Sequence, residues 1–243
     1  MANYRERLYK NYRSCKMPCA ERGAVEQLPI DQCKFWDYHL RPWLREVPRE
    51  AKIADLGCGS GAFVDYLKLK GFQNVVGIES SPEQAEEMRK KGLSVIQKDL
   101  FNYLNSIDDD TLGLIALLDV VEHLNRDEVF VLLDLAFAKL KVGGKILLQI
   151  PNGDSPFFGS IYWDDPTHES AFTSRSLYRF LRGSGFSNVQ VSESFPPPTK
   201  PIWALRFALW KIIRCGIKFI HRVETGGVST GFYSRVIRCV AIK

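Results

Sequence analysis

The stretch DLGCGSG, residues 55–61, decides how the rest of the chain is read. It closes the apolar run KIADLG (52–57) and opens a helical pattern over 61–70, so its three glycines fall where a strand turns into a helix. Glycine at such a turn lets the backbone adopt conformations, and approach a ligand, in ways a Cβ forbids. Glu79 ends the next apolar run, NVVGIE (74–79), where a carboxylate accepts hydrogen bonds from both hydroxyls of a ribose. A third acidic residue, Asp99, ends LSVIQKD (93–99), within reach of an adenine rim.

Working outward, LGLIALLD (112–119) and GKILLQIP (144–151) are two further buried-strand patterns, with helical patterns over 82–91 and 126–141 around them. Pro82 behind Ser80 and Ser81 marks a helix start, and Gly143 with Gly144 marks the end of the 126–141 helix. A helix over 174–182, a strand over 188–195 and a closing strand over 232–242 complete the pattern. Short apolar runs alternating with helices predict an α/β fold: a seven-stranded, doubly wound, mostly parallel sheet. Upstream, residues 4–13 and 31–46 read as helices, Pro48 closing the second, and form an N-terminal cap over 1–50. If the last two strands pair, the core is 51–195 with 232–243, and 196–231 is a helical insertion between them.

In its glycine loop, acidic strand ends and order of elements, the block 51–195 resembles the class I, Rossmann-like S-adenosylmethionine-dependent methyltransferases. The resemblance implies S-adenosyl-L-methionine as cofactor and S-adenosyl-L-homocysteine as product. It places Asp55, Gly57, Cys58, Gly59 and Gly61 in the cofactor loop, Glu79 and Ser80 at the ribose, and Asp99 with Leu100 at the adenine. Leu118 and Asp119, opening LDVVEHL (118–124), then stand beside the methionine portion. A nicotinamide dinucleotide site uses the same strand, turn and acid, but its glycines are spaced GxGxxG, whereas Gly57, Gly59 and Gly61 read GxGxG. An oxidoreductase of that type and a noncatalytic cofactor-binding scaffold are the competing classes.

Methyl transfer is an in-line displacement from a sulfonium, so the enzyme mainly aligns an acceptor and, for a hydroxyl, removes its proton. Ligands in such folds bind over the carboxyl ends of the strands, which makes Asp119, Glu122, His123 and residues 154–168 the candidates for that work. The segment 164–186, DDPTHESAFTSRSLYRFLRGSGF, resembles a region of the ubiquinone-biosynthesis O-methyltransferases and of methyltransferases found with polysaccharide genes. His168 within it is the expected base, flanked by Asp164, Asp165 and Glu169; the alternative is that it fixes its loop by hydrogen bonds. His123 is the second catalytic candidate. Asp119, Glu122 and His123 are spaced to converge on a divalent cation, and the resemblance associates an acid, acid, histidine set with a metal. The first acid here is Asp instead of Glu, and we take the metal-free reading, with His123 beside the cofactor and Glu122 bonding the loop backbone. LDVVEH stands where nucleic-acid base methylases carry NPPY, which favours a hydroxyl on a small molecule, sugar or lipid-linked glycan over a nucleic acid.

Apolar residues make up 45% and charged residues 25% of the 243, values that exclude a disordered or fibrous chain. Cysteines 15, 19, 33, 58, 215 and 239 form no CxxC pair, as expected for reduced thiols in a cytoplasmic protein. The first residues, MANYRERLYKNYRSCK, lack the apolar run of a signal peptide. The net charge of +5 is uneven: residues 200–222 hold six Lys or Arg and no acid. On a helical wheel Arg206, Lys211, Arg214, Lys218 and Arg222 oppose Trp203, Phe207, Trp210, Ile213 and Ile217. Too charged to span a bilayer, this helix reads either as a lid packed on the core with a solvated basic face, or as a peripheral contact with a membrane or an anionic acceptor.

Overall fold

Five aliphatic runs form the parallel part of the sheet: β1 (Lys52–Leu56), β2 (Asn74–Glu79), β3 (Val95–Gln97), β4 (Leu112–Leu118) and β5 (Leu140–Pro151). Two more strands, β6 (Ser187–Glu193) and β7 (Val236–Ile242), complete seven in the order β3-β2-β1-β4-β5-β7-β6, with β7 antiparallel to both neighbours. This is a computed structural model, and it describes residue 8, residues 29–195 and residues 197–243. The helix expected over 4–13 lies outside those residues, Leu8 excepted.

Helices cover both faces because the central strands are apolar on both. α1 (Ile30–Leu44), α2 (Ala62–Leu69) and α3 (Pro82–Lys90) close one face through Trp36, Leu40, Phe63, Leu67 and Met88. α4 (Leu100–Asn105), α5 (Arg126–Lys139) and α7 (Ser174–Gly183) close the other through Leu104, Leu132, Leu133, Leu177 and Leu181. Ser81 caps α3 ahead of Pro82, and an Asn125–Glu128 capping box starts α5. From β1 the chain winds outward through β2 to β3, then returns to place β4 on the other side of β1. The loops leaving β1 and β4 therefore diverge, and a crevice opens at their carboxyl ends.

Several boundaries differ from expectation for local reasons. Gly143 and Gly144 do not end α5, which stops at Lys139; they lie inside β5, where Gly143 has φ 77° and its N–H donates to Lys243 O. α1 ends at Leu44, ahead of Pro48, and accommodates Pro42 in its last turn. β3 keeps only three residues of the seven-residue run, and β7 begins at Val236 instead of 232. α4 and α6 (Phe158–Tyr162) are short helices that apolar periodicity did not signal.

Between β6 and β7 lies α8 (Pro201–Thr225), capped by Gly226 in the left-handed region. Its faces are not those of the wheel above. Trp203, Phe207, Trp210 and Ile217 do turn inward, but Ile213 is 51% exposed, and Arg214, expected on the basic face, points to the core and pairs with Glu193 at 2.7 Å. Lys200 at the other end pairs with Asp31 of α1 at 2.6 Å. Among the described residues no helix is long and apolar enough to cross a membrane.

Candidate functional site

The turn after β1 is shaped by backbone that only glycine tolerates. Gly57 has φ 69°, and a Cβ built on it would stand 2.6 Å from Val120 Cγ2; Gly61 has φ 83°, and its Cβ would meet Met88 and Leu93 at 2.8 Å. The N–H groups of Gly57 and Cys58 donate to Ile78 O at 2.8 and 3.1 Å, binding the loop to the end of β2. Glu79 holds the same loop: Oε2 accepts from Gly59 N at 2.9 Å, and Oε1 accepts from Ser81 N at 2.7 Å. Burial pushes the Glu79 carboxyl up, opposed by hydrogen bonds from the backbone of Ser81, Gly59 and Ser80 and from the Ser80 side chain. Asp55 is buried, its Oδ2 has no partner among the described residues, and burial together with the Glu79 charge pushes its carboxyl up to about 8. The Cys58 thiol turns inward, 3.9 Å from Gly59 O of the loop itself and 3.2 Å from Met88 Sδ.

Asp99 is exposed and caps α4, its Oδ1 accepting from Phe101 N and Asn102 N, with Leu100 half-buried behind it. At the end of β4, after half-buried Leu118, Asp119 adopts φ 57° and is held to the next strand. Its N–H donates to Gln149 O at 2.9 Å, and its Oδ2 accepts from Gln149 Nε2 at 2.7 Å. The Gln149 Oε1 accepts from Arg238 Nε at 2.8 Å, and the buried Arg238 guanidinium lies 4.7 Å over the Phe35 ring of α1. Burial lowers Arg238 to about 10, opposed by the charge of Asp119. Sequence reasoning missed Gln149 and Arg238. The signal was present: two polar residues, each set between buried apolar neighbours, Leu148 and Ile150 for Gln149 and Ile237 and Cys239 for Arg238.

The 3-10 turn Val121–His123 follows, and the loop from α6 packs on it. Glu169 N and Ser170 N donate to Glu122 O at 2.8 and 3.0 Å, which brings the His123 and His168 rings to 4.7 Å. His168 Nδ1 lies 2.8 Å from Tyr162 O; a carbonyl only accepts, so Nδ1 carries the proton and Nε2 is the basic nitrogen. Thr167 spends its hydroxyl proton on Asp165 at 2.5 Å, so at 2.8 Å it accepts from His123 Nδ1 and sets the same tautomer there. Glu122 is buried with Oε2 unpartnered; burial first, then the Asp119 and Asp165 charges, push its carboxyl well above the usual range. One ligand atom from each of Glu122, His123 and His168 lies within 4.8 Å of the others, a set that could hold a metal ion and differs from the Asp119, Glu122, His123 set spaced for one in sequence. Asp119 stands apart from it, turned toward Gln149.

A cavity of about 710 Å³ opens between α1, α8 and the ends of β6 and β7. Phe35, Phe157, Phe195, Trp203 and Trp210 wall it, with Arg206 and Arg235. Phe35 joins this cavity to the Arg238–Gln149–Asp119 chain and so to the crevice.

Residues 33–191 match the family described as a methyltransferase domain, well over half the chain. This chain belongs to that family. The methyltransferase fold extends to solved structures: a SAM-dependent methyltransferase from Archaeoglobus fulgidus superposes with a TM-score of 0.66 at 22% identity, over 87% of this chain and 94% of that one. The phosphoethanolamine N-methyltransferase 2 of Haemonchus contortus, in complex with S-adenosyl-L-methionine, gives 0.59 at 13% identity, over 86% and 52% of the two chains. Of curated relatives, the mitochondrial ubiquinone biosynthesis O-methyltransferase of Dictyostelium discoideum is 24% identical over 50% of this chain and 42% of its own. The EEF1A lysine methyltransferase 2 of Mus musculus is 35% identical over 26% of this chain and 28% of its own. The chain spans less than half the length of these two relatives.

The methyltransferase family's cofactor is S-adenosyl-L-methionine, and the loop after β1 fits it. Gly57 and Gly61 hold the turn tight against Val120, Met88 and Leu93, and the buried Asp55 Oδ2 at its start has no donor among the described residues. Glu79 closes the other side of the loop from the end of β2, its carboxylate turned to Gly59 and Ser81.

Proposed function

We propose that this methyltransferase moves the methyl group of S-adenosyl-L-methionine to a hydroxyl of a small molecule, sugar or lipid-linked glycan, with residues 200–222 meeting the acceptor or a membrane surface. The bound cofactor supplies a methyl group made electrophilic by its sulfonium. Glu79 and Asp55 hold and orient it from the glycine loop, with Ser80, Asp99, Leu100, Leu118 and Asp119 around it. His168 is the general base: Nε2 takes the acceptor proton as the C–O bond forms, and the bond from Nδ1 to Tyr162 O holds the ring for that step.

The observation that carries this reading is the fixed tautomer of His168, beside His123 and at the crevice edge of the sheet. A sugar hydroxyl is too weak an acid to ionise unaided near neutral pH, so an O-methyltransferase needs a base or a metal at this place. The test is incubation of the protein and labelled cofactor with fractionated lipids, glycans and proteins. Base-stable O-methyl label in a lipid or glycan fraction is expected; label confined to protein lysines would overturn the hydroxyl assignment.

A further inference from the structure

Helix α8 has two apolar faces, and the domain covers only one. Trp203, Phe207, Trp210 and Ile217 turn inward. On the opposite side Leu205, Leu209, Ile212, Phe219, Ile220 and Val223 stand between 50% and 70% exposed. At 100° per residue these six share an arc of about 100°, along a helix roughly 37 Å long at 1.5 Å per residue. Scattered surface aliphatics need no explanation, but a continuous stripe of this length marks an interaction surface.

Charge decides what covers it. Lys211, Lys218 and Arg222 run along one flank of the stripe and Arg206 along the other, and residues 200–222 contain no acid. A second copy of the helix would bring cationic flank against cationic flank. An anionic lipid surface neutralises both flanks while the stripe enters the acyl boundary, the arrangement of an interfacial helix. The helix is not long and apolar enough to cross a bilayer, which leaves the interfacial arrangement for it to be tested in. Its inner face roofs the 710 Å³ cavity, whose aromatic walls suit an apolar body. Arg206 and Arg235 reach that cavity, and neither pairs with an acid among the described residues.

We propose that α8 lies in the headgroup region of an anionic membrane, its outer stripe among the acyl chains, and that the cavity beneath takes the phosphate-bearing head of a lipid-linked acceptor. The acceptor half rests on the methyltransferase reading above; the membrane half does not. Flotation of the full chain with phosphatidylcholine vesicles, plain or containing about one-third phosphatidylglycerol, tests the membrane half. Binding to the anionic vesicles, weakened by salt, is expected. Leu209→Ser, Ile212→Ser and Phe219→Ser together should lower partition at least roughly tenfold, since each buried CH₂ contributes about 0.8 kcal/mol. Lys211→Gln with Lys218→Gln should lower it about fivefold per charge.

These side chains face away from the core, so each variant should bind S-adenosylhomocysteine as the wild type does in calorimetry of the same samples. A wild type that ignores anionic vesicles at low salt, or a triple variant that floats like the wild type, overturns the proposal. So does a wild-type dimer that the triple variant converts to monomers without vesicle binding, which would assign the stripe to a second copy. Absent S-adenosylhomocysteine binding by the wild type would defeat the cofactor reading alone and leave the vesicle result standing. For the acceptor half, label from the cofactor should enter a phosphate-bearing fraction of a total lipid extract. It should fall at least tenfold with Arg206→Gln and Arg235→Gln; label only in water-soluble products overturns this half.

Discussion

Gln149 and Asp119 are bound to each other twice, through Asp119 N–H to Gln149 O at 2.9 Å and through Gln149 Nε2 to Asp119 Oδ2 at 2.7 Å. The pair holds Asp119 at φ 57°, which a non-glycine residue keeps only when its surroundings insist. Because Gln149 Oε1 is taken by Arg238, the amide has a single orientation. Gln149→Ala leaves the buried Arg238 Nε unpaired and should destabilise the fold by about 2 to 4 kcal/mol. Denaturant titration measures this, and a loss below about 0.5 kcal/mol would mean that the bridge does not form in solution.

Glu79→Ala removes the carboxylate that joins the glycine loop to β2 and, on the proposed reading, meets the ribose. Affinity for S-adenosylhomocysteine should fall by roughly 2 to 4 kcal/mol, as charge-assisted bonds contribute about 1.5 to 3 each and do not add fully. Calorimetry reads the change directly; unaltered affinity would place the ribose elsewhere.

The contact between Gly57 and Val120 gives a double-mutant cycle. Gly57→Ala should destabilise through both its 2.6 Å clash with Val120 Cγ2 and its left-handed φ. Val120→Ala in the same chain relieves the clash but not the backbone conformation, so about 1 kcal/mol of the Gly57→Ala cost should remain. Strict additivity of the two substitutions would show that the side chains do not meet.

Asp55 makes stability depend on pH in an unusual direction. Its folded carboxyl is raised from the ordinary 3.8 to about 8, so across that interval the folded state holds a proton that the unfolded state has released. Its contribution is fully present below the unfolded value and is lost as pH rises toward 8; Glu79, also raised by burial, acts in the same sense. Asp55→Asn carries no such proton, so its stability relative to the wild type should improve steadily over that range. A difference that stays constant with pH refutes the assignment.

His168→Ala should lower turnover about 100-fold to 10,000-fold while leaving cofactor affinity unchanged, the range of a lost general base. The Glu122, His123, His168 cluster makes the metal alternative distinguishable: there, chelator abolishes turnover and a divalent cation restores it. Near-normal turnover of the variant in chelator would exclude both roles.

The strands were legible where burial on both faces leaves a continuous aliphatic run: NVVGIE is β2 to the residue, and β1 and β4 each end one residue earlier than read. The tight turn after β1 was legible because Gly57, Gly59 and Gly61 answer local demands of backbone and space. What periodicity could not give depended on residues far apart in sequence. Arg238 reads as one more strand residue until β7 pairs with β5 and sets it opposite Gln149. Arg214 was grouped with the basic residues by its charge, yet at 100° per residue it falls between Trp203 and Phe207, and its partners there, Glu193 and Gly231 O, come from distant parts of the chain. His123 and His168 were each singled out, but their proximity needed the bonds from Glu169 and Ser170 to Glu122 O.

The position of β7 between β5 and β6 bears on how the protein emerges from the ribosome. β6 has no strand partner until residues 236–242 arrive, because among the described residues no earlier strand pairs with it. The whole of α8 is therefore synthesised while the sheet is still open at this edge and Glu193 lacks the Tyr233 and Ser234 N–H groups that it later accepts from. During that interval the inner side of the helix has only earlier residues to rest on, Phe195 beside Phe207 and Asp31 beside Lys200. Arrival of the last segment then adds Gly231 O to Arg214 and the Tyr233 and Ser234 N–H groups to Glu193, locking the inner side of the helix from its second flank.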